Sequence, residues 1–217
     1  MASQEGIIKF NLAFTPGDSL SAAEIAGINR WRGVMLARGL IGQDPNRYGG
    51  YGFGNISRRL PPYDAPAGHR RFVISGTQTG HIAVLGPEHY ALVTEYDPDH
   101  NRVVATGPAK PSSESLTHSG VYDMDEDVHY VIHVHSPEIW HAAAQLGLPI
   151  TDAAAVCGTP EMAVEVARLF AETDVRARRI FSMGGHEDGI VAFGRTADEA
   201  GDTLLACLEQ IRAGGRA

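Results

Sequence analysis

Two β-rich runs, residues 90–96 and 102–106, flank the five residues Asp97-Pro98-Asp99-His100-Asn101. Turn-forming residues between two such runs read as a β-hairpin. Antiparallel pairing is therefore built into the middle of this chain, and the other elements have to join a sheet that contains it. Further short strands are expected at 71–75 (RFVIS), 129–134 (HYVIHV), 179–183 and 189–193.

Helical patterns alternate with these runs. Ser21 to Leu40 opens with Ser21 as N-cap and Glu24 three residues on, a capping box, and Gly39 lies near its stop. Ile25, Ile28, Trp31 and Met35 give it an apolar stripe. Residues 112–123 read as a second helix. A third starts at Pro137 and runs to about Leu146. A fourth has Thr159 as N-cap and Pro160 at its first position, and ends near Glu172. The last runs from Thr196 to Arg212, with Glu199 completing a capping box. Glycines at 49, 50, 52 and 54 mark a loop. Strands and helices mixed in this way, with hairpin-linked neighbours, predict an α/β fold. Its mostly antiparallel or mixed sheet is covered by helices on both faces. No repeat or long linker interrupts the 217 residues, so one domain over 1–217 is expected.

Composition excludes several classes. The net charge is −8 with no basic stripe, which argues against nucleic acid and against anionic lipid as partners. No run approaches the roughly 20 apolar residues of a membrane span. The start MASQEGIIKF lacks a basic segment followed by an apolar one, so no secretory leader is expected. Cys157 and Cys207 are too few for a disulfide framework or a four-thiolate zinc site. They read as small buried hydrophobes in a reducing, cytoplasmic protein.

Ten histidines are the unusual count, and their placement carries the chemistry. His133-Val134-His135 lies on an expected strand, where residues two apart face the same way. Two neutral imidazoles can then address one cation. His186 sits after Gly184-Gly185 in a turn between two expected strands, and Glu114 stands at the start of a helix. A catalytic zinc has three protein ligands and an open position, which three histidines and a displaceable carboxylate would satisfy.

Several segments, in order, resemble the class II aldolase/adducin family. Gly54-Asn55-Ile56-Ser57-Arg58 is similar to its G-N-x-S-x-R loop, and Ser75-Gly76-Thr77 to its strand-end turn. Lys110-Pro111-Ser112-Ser113-Glu114, followed by His118 and Tyr122, resembles its K-P-S-S-E-x3-H-x3-Y helix. His133-Val134-His135-Ser136-Pro137 resembles its H-x-H-S-P element, nineteen residues after Glu114. His186, Gly189 and Gly194 resemble its late histidine-glycine segment.

The resemblance implies a three-layer α/β/α fold, a central largely antiparallel sheet between helical layers. It implies a homotetramer with active sites at subunit interfaces. By motif, His133, His135 and His186 would be metal ligands. Glu114 would be a fourth ligand and the acid/base. Asn55, Ser75, Gly76, Ser112 and Ser113 would form the substrate pocket. The implied cofactor is a divalent metal, zinc first, with manganese, cobalt or iron as alternatives. The implied activity is a lyase of aldolase or decarboxylase type on a small hydroxylated carbonyl or sugar-phosphate-like substrate, working through a metal-stabilised enediolate. An isomerase, epimerase or dehydratase on the same scaffold, or a non-catalytic adducin-like scaffold, are the alternatives. Glutamate at 114 matches the aldolase branch, whereas the epimerase branch tends to carry aspartate.

The chain also departs from the family pattern. Glu187 and Asp188 separate His186 from the glycine that usually follows directly. No tyrosine occurs in Thr151–Gly158, where sugar-phosphate aldolases of the family carry a tyrosine acid, and no tail supplying another is expected after the last helix. Tyr48, Tyr51, Tyr63 and His141 are the substitutes the sequence offers. The acidic run Asp123–Asp127 is not a calcium loop, because Val128 and Val134 stand where glycine and glutamate are required. No G-K-[ST] accompanies the loop glycines, so they form no phosphate loop. His118 and Tyr122 read as packing support one helical turn apart, and Trp31 and Trp140 as core.

Overall fold

A computed structural model of the chain describes residues 6–214. Part of the N-terminal stretch read for a leader lies outside the described residues. In chain order the elements are β1 (Asn11–Pro16), α1 (Ala22–Leu36), β2 (Gly42–Gln43), β3 (Gly52–Phe53), β4 (Asn55–Arg59), β5 (Phe72–Ser75), β6 (Tyr90–Asp97), β7 (Arg102–Gly107), α2 (Ser115–Met124), β8 (Tyr130–His135), α3 (Pro137–Ala142), α4 (Pro160–Glu172), α5 (Val175–Arg178), β9 (Ile180–Ser182), β10 (Gly189–Gly194) and α6 (Ala197–Gly214).

Eight strands form one sheet in the order β1-β7-β6-β5-β4-β8-β10-β9. The expected hairpin is β6–β7, paired antiparallel with a bulge between Val93 and Glu95. Only the β1–β7 pair at one edge is parallel among the described strands, so the sheet is mixed but mostly antiparallel. Strand β1 was not expected from sequence. Its segment NLAFTP is short and ends in proline, which suits an edge strand.

Side chains alternate between two apolar clusters. Val131, Val191 and Phe193 of the sheet pack with Leu116, Val121 and Tyr122 of α2 and Met162, Val166 and Leu169 of α4. Ile132, Val134, Ile190 and Ala192 join Ile25, Ile28, Trp31 and Met35 of α1, Ile139 of α3 and Leu204 and Leu208 of α6. The period-two switch along β8 and β10 assigns the two clusters to opposite faces of the sheet. No helix among the described residues is long and apolar enough to cross a membrane.

The caps follow local chemistry. Ser21 and Glu24 form the expected capping box, which anchors the start of α1. Ser136 caps α3 through the Ile139 N–H, yet the helix stops at Ala142, short of the expected Leu146. The Thr159 hydroxyl donates to the Val156 carbonyl and caps nothing. Thr196 accepts the Glu199 N–H, but the Glu199 carboxylate takes the Arg195 N–H instead of closing the box on Thr196.

Candidate metal centre

Strand β8 supplies the first two groups. Val131 faces the α2–α4 cluster, so His133 and His135 project from that same face. The turn between β9 and β10 supplies the third. His186 donates its N–H to the Met183 carbonyl and accepts the Gly189 N–H, a compact loop whose closure requires Asp188 at a φ of 61°. The three residues each place a ring nitrogen within 4.8 Å of the others, and all three are buried. Their ring centroids are 4.7–5.2 Å apart.

The donor set suits a transition metal. His133 Nδ1 lies 3.2 Å from the Ile190 carbonyl oxygen. An N–H there donates to the carbonyl and leaves the Nε2 lone pair for a ligand bond. Burial, then His186 and the Arg47 guanidinium, hold the His135 pKa well below the usual imidazole value. His135 is therefore neutral at physiological pH, the form that binds metal. Three imidazoles converging from a strand and a turn are a donor set that zinc and its neighbours take readily.

Glu114 stands at the N-cap of α2, 1 % exposed. Its Oε2 accepts a hydrogen bond from Thr117 Oγ1 at 3.0 Å. It approaches the histidines from the side of His186. A Glu114 oxygen, a His186 nitrogen and the Cys157 sulfur lie within 4.8 Å of one another. The three expected histidines thus meet in one group and Glu114 meets His186 in a second, which Cys157, buried in the core as expected, completes.

A polar cleft adjoins this cluster. Asn55, Gly76, Ser112 and Ser113 line it, as do Gly52, Gly54, Thr77, Gln78 and Thr79, which the sequence reading did not select as pocket residues. Asn55 pairs with His133 across β4 and β8, so the two share a face. Its Oδ1 is buried and has no hydrogen-bond partner among the described residues. Ser75 sits apart from the lining. Its hydroxyl accepts the Ile56 N–H at 3.2 Å and ties β4 to β5. The loop 76–80 was readable only as a turn, because its lining role depends on Gly76 closing onto the His89 carbonyl.

Of the candidate substitutes for the missing tyrosine, Tyr48 touches a ligand residue. Its ring meets that of His135 edge-on at 4.5 Å. Its hydroxyl donates to Asp188 Oδ2 at 2.5 Å and accepts from Arg47 Nη2 at 2.7 Å. Burial and the Asp188 hydrogen bond push its pKa upwards, so the phenol stays neutral. Tyr63 instead stacks on His129, and His141 packs beside Trp140. His118 and Tyr122 both reach Ser57 Oγ at 2.6 Å and fasten α2 to β4 beneath the cluster.

Residues 45–212 match the family model of the class II aldolase and adducin N-terminal domain. No curated protein matches the chain. Among solved structures, L-fuculose-1-phosphate aldolase from Thermus thermophilus is 21 % identical with a TM-score of 0.62, over 89 % of this chain and 93 % of that one. A sugar-phosphate aldolase from Thermotoga maritima is 17 % identical with a TM-score of 0.62, over 89 % and 94 %. YgbL from Klebsiella pneumoniae, a putative aldolase/epimerase/decarboxylase, is 18 % identical with a TM-score of 0.61, over 88 % and 87 %. At these identities the likeness is one of fold.

Proposed function

The chain belongs to the class II aldolase and adducin family, and we propose that it is a metal-dependent lyase of aldolase or decarboxylase type. The observation that carries this reading is the meeting of three buried imidazoles, from His133, His135 and His186, with the Glu114 carboxylate beside the last of them. A scaffold has no need of such a set, since buried polar groups cost stability unless something satisfies them. Helices on both faces of the sheet support the three-layer reading of the fold.

Zinc is the first choice for three imidazoles, and manganese, cobalt or iron fit the same donors. A divalent ion there would act as a Lewis acid on a substrate carbonyl and take the negative charge that develops as a C–C bond breaks. The chain's own groups then divide the remaining work. Thr117 engages Glu114 Oε2, which leaves Oε1 as the atom presented for proton transfer. The Asn55 amide and the Ser112 and Ser113 hydroxyls, beside Gly76, would hold the oxygen-rich or phosphorylated end of a small substrate. Tyr48, fixed between Arg47 and Asp188, walls the site at His135. A homotetramer with this site at subunit interfaces completes the proposal.

Metal analysis tests the reading directly. The purified protein should carry about one transition-metal ion per chain. His133→Ala and His186→Ala should each lose it while keeping the wild-type circular dichroism spectrum. Full metal in either variant refutes the ligand assignment, and less than about 0.1 equivalent in the wild type after reconstitution favours a non-catalytic scaffold. Product analysis by NMR in deuterated water separates the chemistries. Two carbonyl fragments or released CO₂ mean a lyase; a single rearranged molecule means an isomerase.

A further inference from the structure

We propose that Cys157 is a ligand of this metal centre and shares with Glu114 the position that the three imidazoles leave. The proposal rests on the metal reading above and adds a donor of a different kind. Its observation is a second buried group, the Cys157 sulfur, a Glu114 oxygen and a His186 nitrogen, all within 4.8 Å. His186 belongs to both groups, which puts the Cys157–Glu114 pair beside the three imidazoles. Zinc bonds of roughly 2.3 Å to sulfur and 2.0–2.1 Å to nitrogen place such donors about 3.5 Å apart in a tetrahedral site.

The backbone holds the sulfur there from both sides. Gly158 has a φ of 69°, and a Cβ on it would lie 2.6 Å from the Ser113 carbonyl oxygen, just before Glu114. A Cβ on Gly185 would lie 2.1 Å from the Ala155 carbonyl oxygen, just before His186. The segment carrying Cys157 is thus pressed against the turns that carry its two proposed co-ligands. The Lys9 ammonium lies 3.5 Å from the sulfur and 3.1 Å from the Cys157 carbonyl oxygen. Cys207 is the contrast, set among the apolar residues between α6 and the sheet.

On coordination the S–H bond breaks, the proton leaves to water and the sulfur lone pair forms the bond to the ion, with no change of oxidation state. Three imidazoles and a thiolate would close a tetrahedron, whereas catalysis requires an open position. Cys157 and Glu114 would therefore share that position, each able to yield it to a substrate oxygen. A thiolate also biases the site towards zinc and cobalt over manganese and magnesium.

Cobalt(II) substitution of the metal-free full chain reads this without any turnover. The wild type should show visible d–d bands together with a near-ultraviolet thiolate-to-cobalt charge-transfer band. Cys157→Ser should keep the visible bands, lose the near-ultraviolet band and bind zinc at least about tenfold more weakly, since losing even outer partners costs roughly 10–100-fold. Cys207→Ser should keep both. Visible bands without the sulfur band in the wild type, or a sulfur band that survives Cys157→Ser, overturn the proposal and leave the metal reading standing. No cobalt uptake by the wild type overturns both. X-ray absorption at zinc in the wild type requires no variant. A sulfur scatterer near 2.3 Å supports the proposal and a shell of nitrogen and oxygen alone overturns it.

Discussion

Protonation of His118 is the step by which acid should dismantle the site from below. The imidazole is fully buried, with Nδ1 2.6 Å from Ser57 Oγ, and its Nε2 has no hydrogen-bond partner among the described residues. Burial pushes its pKa from the ordinary 6.5 down to about 3. The unfolded chain takes up this proton near the ordinary value, whereas the folded chain resists it until far lower pH. Between those two values the unfolded state binds more protons, so stability falls as pH falls, and above the upper value the contribution is fully present. One proton is worth about 1.4 kcal/mol per pH unit, so a drop from pH 6.5 to 5 removes about 2 kcal/mol. That is a large part of the roughly 5–15 kcal/mol that holds a domain together. His118→Gln removes the titration and keeps a polar group for Ser57. Urea unfolding of both proteins, metal-free and at one protein concentration, should be run from pH 7.5 to 5. The variant should be about 1–3 kcal/mol less stable at pH 7.5, through the disturbed hydrogen bond. The gap should then narrow by about 1.4 kcal/mol per unit below pH 6.5. A gap that stays constant down to pH 5 refutes the reasoning.

Glu114→Gln should retain metal through the three imidazoles and lose about 10²–10⁴ in turnover, the usual contribution of a positioned acid/base; undiminished turnover in a metal-loaded variant removes its role. Tyr48→Phe should retain metal but cost about 1–3 kcal/mol in urea unfolding, because the buried Asp188 carboxylate loses the phenol that donates to it; wild-type stability would show that this contact is idle.

The elements visible in the sequence are those whose local chemistry agrees with their place in the fold. The Ser21 box, the β6–β7 hairpin and the alternation of β8 all belong to that class. Strand β4 was hidden because it is buried without being apolar. Asn55, Ser57 and Arg59 are all buried. Ser57 is satisfied by His118 and Tyr122, and the Arg59 Nη groups donate to the carbonyls of Glu126 and Tyr63. A method that searches for hydrophobic period two reads such a strand as a loop. The three clustered histidines were legible because two of them share a strand, whose geometry is local. Cys157 was not, because its place beside Glu114 and His186 depends on three segments meeting at Gly158 and Gly185.

One lane of buried polar groups runs along the α2 face of the sheet through β4 and β8, and its two ends differ in kind. At the Ser57 end, the hydroxyl bonds both the His118 ring and the Tyr122 phenol at 2.6 Å. Those two bonds hold the helix to the sheet. At the Asn55 end, two residues along the same strand and opposite His133, a buried amide oxygen has no hydrogen-bond partner among the described residues. A fold tolerates an unsatisfied group of this sort where something outside the chain completes it. Both ends lie on one strand, so the anchoring of α2 and the placing of Asn55 opposite His133 are fixed by the same pairing. A shift of β4 by one residue would turn Asn55 and Ser57 to the opposite face. It would remove the staple and the Asn55 amide together, while leaving His133 and His135 on β8 where they are.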